Sequence, residues 1–100
     1  MHFIPVDLYI AVHNLRANWE RWDIVTRAEA VAGLRGSRLS VATLAQIAGC
    51  SRTSIRRLEV IGQLPPEFKH RIRAGEPSGR FVAWARALHL SQALAIVPAR

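Results

Sequence analysis

Side chains that serve catalysis or bind metals are scarce in this 100-residue sequence. It has one cysteine, Cys50, and four well-separated histidines. A lone cysteine cannot form an internal disulfide, and no zinc-finger spacing of Cys and His occurs. The sequence also lacks a glycine-rich phosphate loop, a nucleophile elbow and a catalytic pair of carboxylates. We therefore expect no enzymatic activity, no metal, no cofactor and a reducing compartment, with Cys50 as a turn residue that faces the core.

Long apolar runs are absent as well. No run reaches the roughly 18 residues that span a bilayer. The opening segment MHFIPVDLYIAVHN contains Asp7 and has no basic flank before its apolar stretch, which argues against a secretory signal. We expect a soluble cytoplasmic protein that associates with the nucleoid and not with a membrane.

Acidic residues and lysine are few, so the balance of charge is strongly basic. Seven carboxylates face fourteen cations, thirteen of them Arg, which gives a net charge of +7. Residues 1–33 carry a net charge of −1, with three arginines against four carboxylates, whereas residues 34–100 carry +8, with eleven cations against three. A polyanion is the expected partner, and Arg favours forked contacts to phosphate and guanine. We expect the binding surface after Leu34.

The pattern of residues predicts one all-α domain, a small bundle of about five helices. Alternation with period two is absent, while Ala, Leu and Arg are plentiful. Within this single domain of residues 1–100 we distinguish three segments: a helical scaffold or dimerisation segment (1–34), a helix-turn-helix block (39–75) and a C-terminal helix (78–97). The expected helices are Val6 to Trp22, a second after an N-cap at Asp23, Val41 to Ala48 after an N-cap at Ser40, Arg52 to about Ile61 with Gly62 as its end, Pro66 to Gly75, and Ser78 to Ile96. The first two could also be continuous.

Two apolar stripes leave the mode of dimerisation open. The first helix carries Leu8, Val12, Leu15, Trp19 and Trp22, and the last carries Phe81, Trp84, Ala85, Leu88 and Leu94. Each stripe has the spacing of a buried helix face. Either packs inside the monomer or forms a dimer seam, and we expect that one of the two dimerises.

The segment VATLAQIAGCSRTSIRRLEVIG has the internal spacing of a helix-turn-helix. Ala45 falls where the two helices cross most closely, and Gly49 falls in the turn, where a left-handed backbone favours glycine. Leu44, Ile55 and Leu58 are expected to point inward and hold the second helix against the first. Five constrained positions agree within one window.

The outward face of the second helix is rich in hydrogen-bond donors. This face comprises Arg52, Thr53, Arg56 and Arg57, with Ser51 at its N-terminal end. Arg52, Thr53 and Arg56 are predicted to reach base edges in the major groove. The residues predicted to fix the register on the DNA backbone are Ser40, Thr43, Gln46 and Ser51.

The stretch LAQIAGCSRTSIRRLEVIGQLPPEFKHRIRAG resembles the helix-turn-helix of the ParB/KorB family of partition and regulatory proteins. The similarity covers residues 39–75, including Ser51-Arg52-Thr53, Leu64-Pro65-Pro66 and the basic run to Gly75. It implies duplex binding through residues 51–53, Arg56 and Arg57. It also implies that Lys69, Arg71 and Arg73 are available to phosphates. The nucleotide-binding domain of larger members has no counterpart here, so their CTP-dependent clamp is not expected.

These features predict a dimeric transcriptional regulator that binds double-stranded DNA in a sequence-specific manner. Two alternatives remain at this point. A protein-interaction module, such as an antiactivator or a partner subunit, would use the same scaffold and its apolar ends. A non-specific nucleoid or partition accessory protein would account for the net charge of +7, although the few aromatic residues offer no base-stacking platform.

Overall fold

The structure, a computed structural model, describes the backbone of residues 6–96 and the side chains of residues 7–88. It is helical, and no strand occurs between residues 6 and 96. The helices of this range are α1 (Val6–Asn18), α2 (Ile24–Gly36), α3 (Val41–Ala48), α4 (Arg52–Gly62), α5 (Pro66–Arg73) and α6 (Ser78–Ile96). The all-α class is confirmed, with six helices where about five were expected.

Three of the helices begin at a side-chain cap. Asp23, Ser40 and Ser51 stand in extended backbone just before α2, α3 and α4, and each accepts a hydrogen bond from the backbone N–H three residues later, at 2.7–3.1 Å. A cap of this kind contributes about 1 kcal/mol because it satisfies an amide that the helix leaves unpaired. The predicted caps at Asp23 and Ser40 are confirmed.

The first helix is shorter than predicted. It ends at Asn18 instead of Trp22, and a turn separates it from α2, so the two helices are not continuous. The reason is a contact from α2: Nε of Arg27 donates to the carbonyl oxygen of Trp19 at 2.7 Å, and the guanidinium lies 5.2 Å from the centre of the Trp19 ring. That carbonyl is therefore engaged by α2 and not by a further turn of α1.

The core lies around α2, which packs against α1, α4 and α5. The buried apolar residues are Leu15, Trp19, Val25, Ala28, Val31, Leu34, Leu44, Ala45, Ile55, Leu58, Ile61, Leu64, Ile72, Phe81 and Val82. Of the N-terminal stripe, Leu15 and Trp19 are buried, and the other three residues pack partly buried against the same core. The stripe therefore packs inside the chain, whereas the neighbouring Tyr9 and Ile10 are exposed.

Gly62 of α4 lies against the backbone of α2. A Cβ on this residue would lie 2.3 Å from the carbonyl oxygen of Ala28 and 2.8 Å from Cβ of Ala32. Sequence reasoning took Gly62 only as a helix end. The structure shows a second requirement, since any side chain here would push α4 off α2.

Helix α6 buries only the start of its predicted stripe. Phe81 is buried and Ala85 is half-buried, but Trp84 and Leu88 each leave 42% of their surface exposed. The start of the stripe therefore packs inside the chain, and the exposed surface at Trp84 and Leu88 leaves the alternative of a dimer seam open for this helix. The side chain of Leu94 lies outside the described residues. Among the helices of residues 6–96, none is both long and apolar enough to cross a membrane.

Candidate nucleic-acid interface

A three-residue break joins α3 to α4. Gly49 has a left-handed backbone with φ 73° and ψ 34°, and its N–H donates to the carbonyl oxygen of Ala45 at 2.9 Å. A Cβ on Gly49 would meet nothing within 4 Å, so the backbone conformation and not space favours glycine. The N–H of Cys50 donates to the same carbonyl at 3.0 Å, and Ser51 then caps α4.

The residues predicted to hold α4 in place do so. Leu44, Ile55 and Leu58 are buried, and Ala45 is buried where α3 faces the rest of the core. The outward side of α4 is consequently fixed relative to α3. The predicted burial of Leu44, Ile55 and Leu58 is confirmed.

The outward face of α4 carries Arg52, Thr53, Arg56 and Arg57, all exposed. Within the described part of the chain, none of the three arginines lies in an ion pair. Arg57 extends toward the first turn of α6, where its Nη2 donates to Oγ of Ser78 at 3.4 Å. Because a helix N-terminus bears partial positive charge, an anion near Arg57 would be stabilised by both groups.

The only carboxylate of α4, Glu59, is neutralised by α2. Nε of Arg35 lies 3.3 Å from Oε2 of Glu59, and Nη1 of Arg35 donates to the carbonyl oxygen of Leu39 at 3.0 Å. This half-buried pair joins α2 to α4. Sequence reasoning missed it because 24 residues separate the partners, and no local pattern marks such a pair.

The hydroxyl groups predicted to contact the DNA backbone are engaged in capping. Oγ of Ser40 donates to Oγ1 of Thr43 at 2.8 Å, and Oγ of Ser51 pairs with Oγ of Ser54 at 3.0 Å. These pairs define the starts of α3 and α4. Gln46 is exposed on α3 and has no such role.

The basic residues of α5 lie in ion pairs with carboxylates. Nζ of Lys69 is 3.6 Å from Glu29, and Arg73 reaches Asp23 at 3.2 Å and Glu29 at 3.1 Å. The resemblance implied phosphate contacts for these residues. In the structure, Lys69 and Arg73 join α5 to Asp23 and Glu29, and their phosphate contacts stay a prediction.

Arg71 and Glu76 form a forked pair at the end of α5. Nη2 of Arg71 donates to Oε1 of Glu76 at 3.0 Å, and Nε donates to the other oxygen. The hydrogen bond from Arg71 lowers the pKa of the Glu76 carboxyl. Arg71 also lies over the Phe81 ring at 5.2 Å. All three basic residues predicted on α5 thus have an intramolecular partner.

Cys50 is half-buried against the core, and burial raises the pKa of its thiol. A raised pKa disfavours the reactive thiolate. This agrees with the predicted role as a turn residue. Among residues whose side chains are described, no cluster of three His, Cys, Asp or Glu could hold a metal ion.

Comparisons with known proteins add no relative. No family model, curated protein or solved structure matches the chain. The similarity to the ParB/KorB helix-turn-helix therefore stays a prediction, and it rests on the motif residues of the segment 39–75.

Proposed function

We propose that α3, the turn at residues 49–51 and α4 form a helix-turn-helix, and that the protein is a dimeric transcriptional regulator that binds double-stranded DNA in a sequence-specific manner. One observation carries this proposal. The exposed face of α4 presents three arginines with no carboxylate partner in the described chain, whereas the opposite face is buried.

The local electrostatics of α4 support a polyanionic partner. Arg52 and Arg56 are four residues apart, a spacing at which like charges on a helix repel by about 0.2–0.5 kcal/mol. No described carboxylate relieves this repulsion, because the single acid of α4 is paired with Arg35. Phosphate groups of a duplex would relieve it.

The geometry of the face suits the major groove. An exposed helix fits this groove, and Arg can donate two hydrogen bonds to O6 and N7 of one guanine. Arg52, Thr53 and Arg56 would contact bases, and Arg57, beside the start of α6, is placed for a phosphate. The α5 cations are assigned to the fold instead, because DNA contact would require them to leave their carboxylates.

The test begins with selection of bound duplexes from a random library. The selected duplex and a scrambled duplex of equal composition are then titrated by fluorescence anisotropy at two salt concentrations. A specific regulator should prefer the selected duplex by about 10³-fold or more. Equal and steeply salt-dependent binding would show a non-specific binder. Absence of binding to either duplex would refute the proposal altogether.

A further inference from the structure

A shallow groove without charged walls lies between the C-terminal end of α4 and α6, with a volume of about 300 Å³. Its walls are Val60, Gln63, Leu64, Pro65, Trp84, Ala85 and Leu88. None of these residues is charged, although 21% of the chain is. Trp84 and Leu88 are among the most exposed large apolar side chains described, at 42% each. The groove is large enough for one or two apolar side chains of a partner.

The helix that forms one wall extends away from the core. The side chains of Phe81 and Val82 are buried. Among the described side chains that follow them on α6, Ala85 is half-buried and all others are exposed. The helix continues to Ile96, and its last ten residues, ALHLSQALAI, contain no Asp, Glu, Lys or Arg. The Cα radius of gyration is 15.4 Å, whereas a compact chain of this length has about 13 Å.

We propose that a second copy of this chain occupies the groove, with α6 of each copy packed against the groove of the other. A two-fold interface must be self-complementary, because the same surface serves both subunits. This surface meets that condition, since a helix end without formal charge and a groove without charged walls adjoin on one chain. Each chain has a net charge of +7, so two copies repel each other. The groove has no charged walls, so contact there brings no like charges together.

The position of this seam suits the proposed DNA-binding function, on which this step rests. The groove lies at the C-terminal end of α4, and the eleven-residue helix is about 16 Å long. Arg52 is therefore distant from the seam, whereas Arg56 lies one helical turn before the groove residue Val60. Half-sites one turn of DNA apart require recognition helices separated by about 34 Å. A seam at the C-terminal end of α4 favours such a separation, because it lies at the opposite end of the helix from Arg52.

The test compares two charge insertions, Leu88→Glu in the groove and Ile10→Glu on α1. Ile10 is a matched control because it is an exposed apolar residue, at 49%, on another helix. Sedimentation equilibrium without DNA should give twice the 11.2 kDa chain mass for the wild type and Ile10→Glu. Leu88→Glu should raise the dimer dissociation constant at least tenfold, since each copy would bury a carboxylate in an apolar seam. Circular dichroism and thermal melting identify any variant that fails to fold.

Two outcomes would overturn this seam. The first is a wild type that stays monomeric at concentrations up to about 100 μM, because a dissociation constant above that value is weak for a specific interface. The second is a folded Leu88→Glu variant that dimerises like the wild type. A folded Trp84→Ala variant provides a second test of the same prediction. Because mass is measured without DNA, loss of the seam is distinguishable from failure of the proposed function. In the former case the protein still selects a DNA sequence, as a monomer on half-sites.

Discussion

Helices α4 and α5 each carry three cations, but the two sets have different surroundings. Helix α4 is held on α2 through buried Ile55, Leu58 and Ile61 and through the close approach at Gly62. Helix α5 buries Ile72 and is joined to α2 by ion pairs. Helix α5 also packs Phe68 against Phe81 and Trp84 of α6. The α4 arginines lie in no described ion pair, whereas the three cations of α5 each have a carboxylate partner. The presence of Arg or Lys alone therefore does not predict that a side chain binds DNA, because its intramolecular partners also matter.

The N-terminal acidic residues explain why the two helices differ. Asp23 and Glu29 lie on the side of α2 that faces α5, whereas Arg35 near the other end of α2 meets α4. The part of the chain with net charge −1 thus supplies the carboxylates that pair with Lys69 and Arg73, and it leaves the α4 face basic. The uneven distribution of charge along the sequence therefore determines which cations form ion pairs within the chain and which can contact another molecule.

The largest expected effect is on the apolar docking of α4. Gly62→Ala places a Cβ 2.3 Å from the carbonyl oxygen of Ala28. Since backbone atoms cannot rotate away, we expect the free energy of unfolding to fall by about 3 kcal/mol, the upper end for overpacking. Thermal or urea denaturation followed by circular dichroism measures this loss. DNA binding should weaken in parallel, because α4 moves relative to α3.

Gly33→Ala is the matched control for that substitution. Gly33 lies within α2, and a Cβ there would meet nothing within 4 Å. Alanine should stabilise the helix by about 0.5–1 kcal/mol. A neutral Gly62→Ala would contradict the close packing of α2 on α4.

The next prediction separates the two sets of cations directly. Arg56→Ala should weaken binding to a selected duplex by about 1–3 kcal/mol without lowering the melting temperature, since Arg56 is exposed and has no described ion-pair partner. Arg73→Ala should instead lower the free energy of unfolding by about 1 kcal/mol, because two surface ion pairs are lost. Anisotropy and thermal melting on both variants give the two readouts.

Two further variants sharpen this test. Arg56→Lys keeps the charge but loses the fork, so the preference for the selected duplex should fall more than the affinity for a scrambled one. Arg16→Ala removes an equal charge from the exposed surface of α1 and should affect neither readout. If Arg73→Ala weakened all duplexes alike without any change in stability, the α5 cations would be phosphate contacts after all.

The sequence was sufficient to predict features set by local chemistry. The caps at Asp23 and Ser40, the left-handed Gly49 and the outward position of Arg56 each follow from a residue type and a helical period. Features set by contacts between distant segments were not predictable in this way. The ion pairs of Arg73 join residues 44 and 50 positions apart, and the need for glycine at position 62 depends on where α2 passes.

The smallest expected effect concerns the pH dependence of α5 docking. Hydrogen bonds from Thr26, and secondarily the pair with Arg73, lower the pKa of the Asp23 carboxyl. A carboxyl with a lowered pKa in the folded state contributes stability above its unfolded pKa, and this is lost as the pH falls through the folded value. Asp23→Asn keeps a capping oxygen but removes the charge, so it should cost up to about 1 kcal/mol at pH 7.

That cost should vanish in acid, where Asp23 itself becomes neutral. Melting temperatures of the wild type and Asp23→Asn, measured from neutral to acidic pH, should therefore converge below the ordinary range of an aspartate pKa. Glu67→Gln is the control, because Glu67 is exposed on α5 and lies in no ion pair of the described chain. A difference that stayed constant down to acidic pH would mean that the Asp23 charge does not hold α5, and that the contrast between the two basic helices is smaller than the geometry indicates.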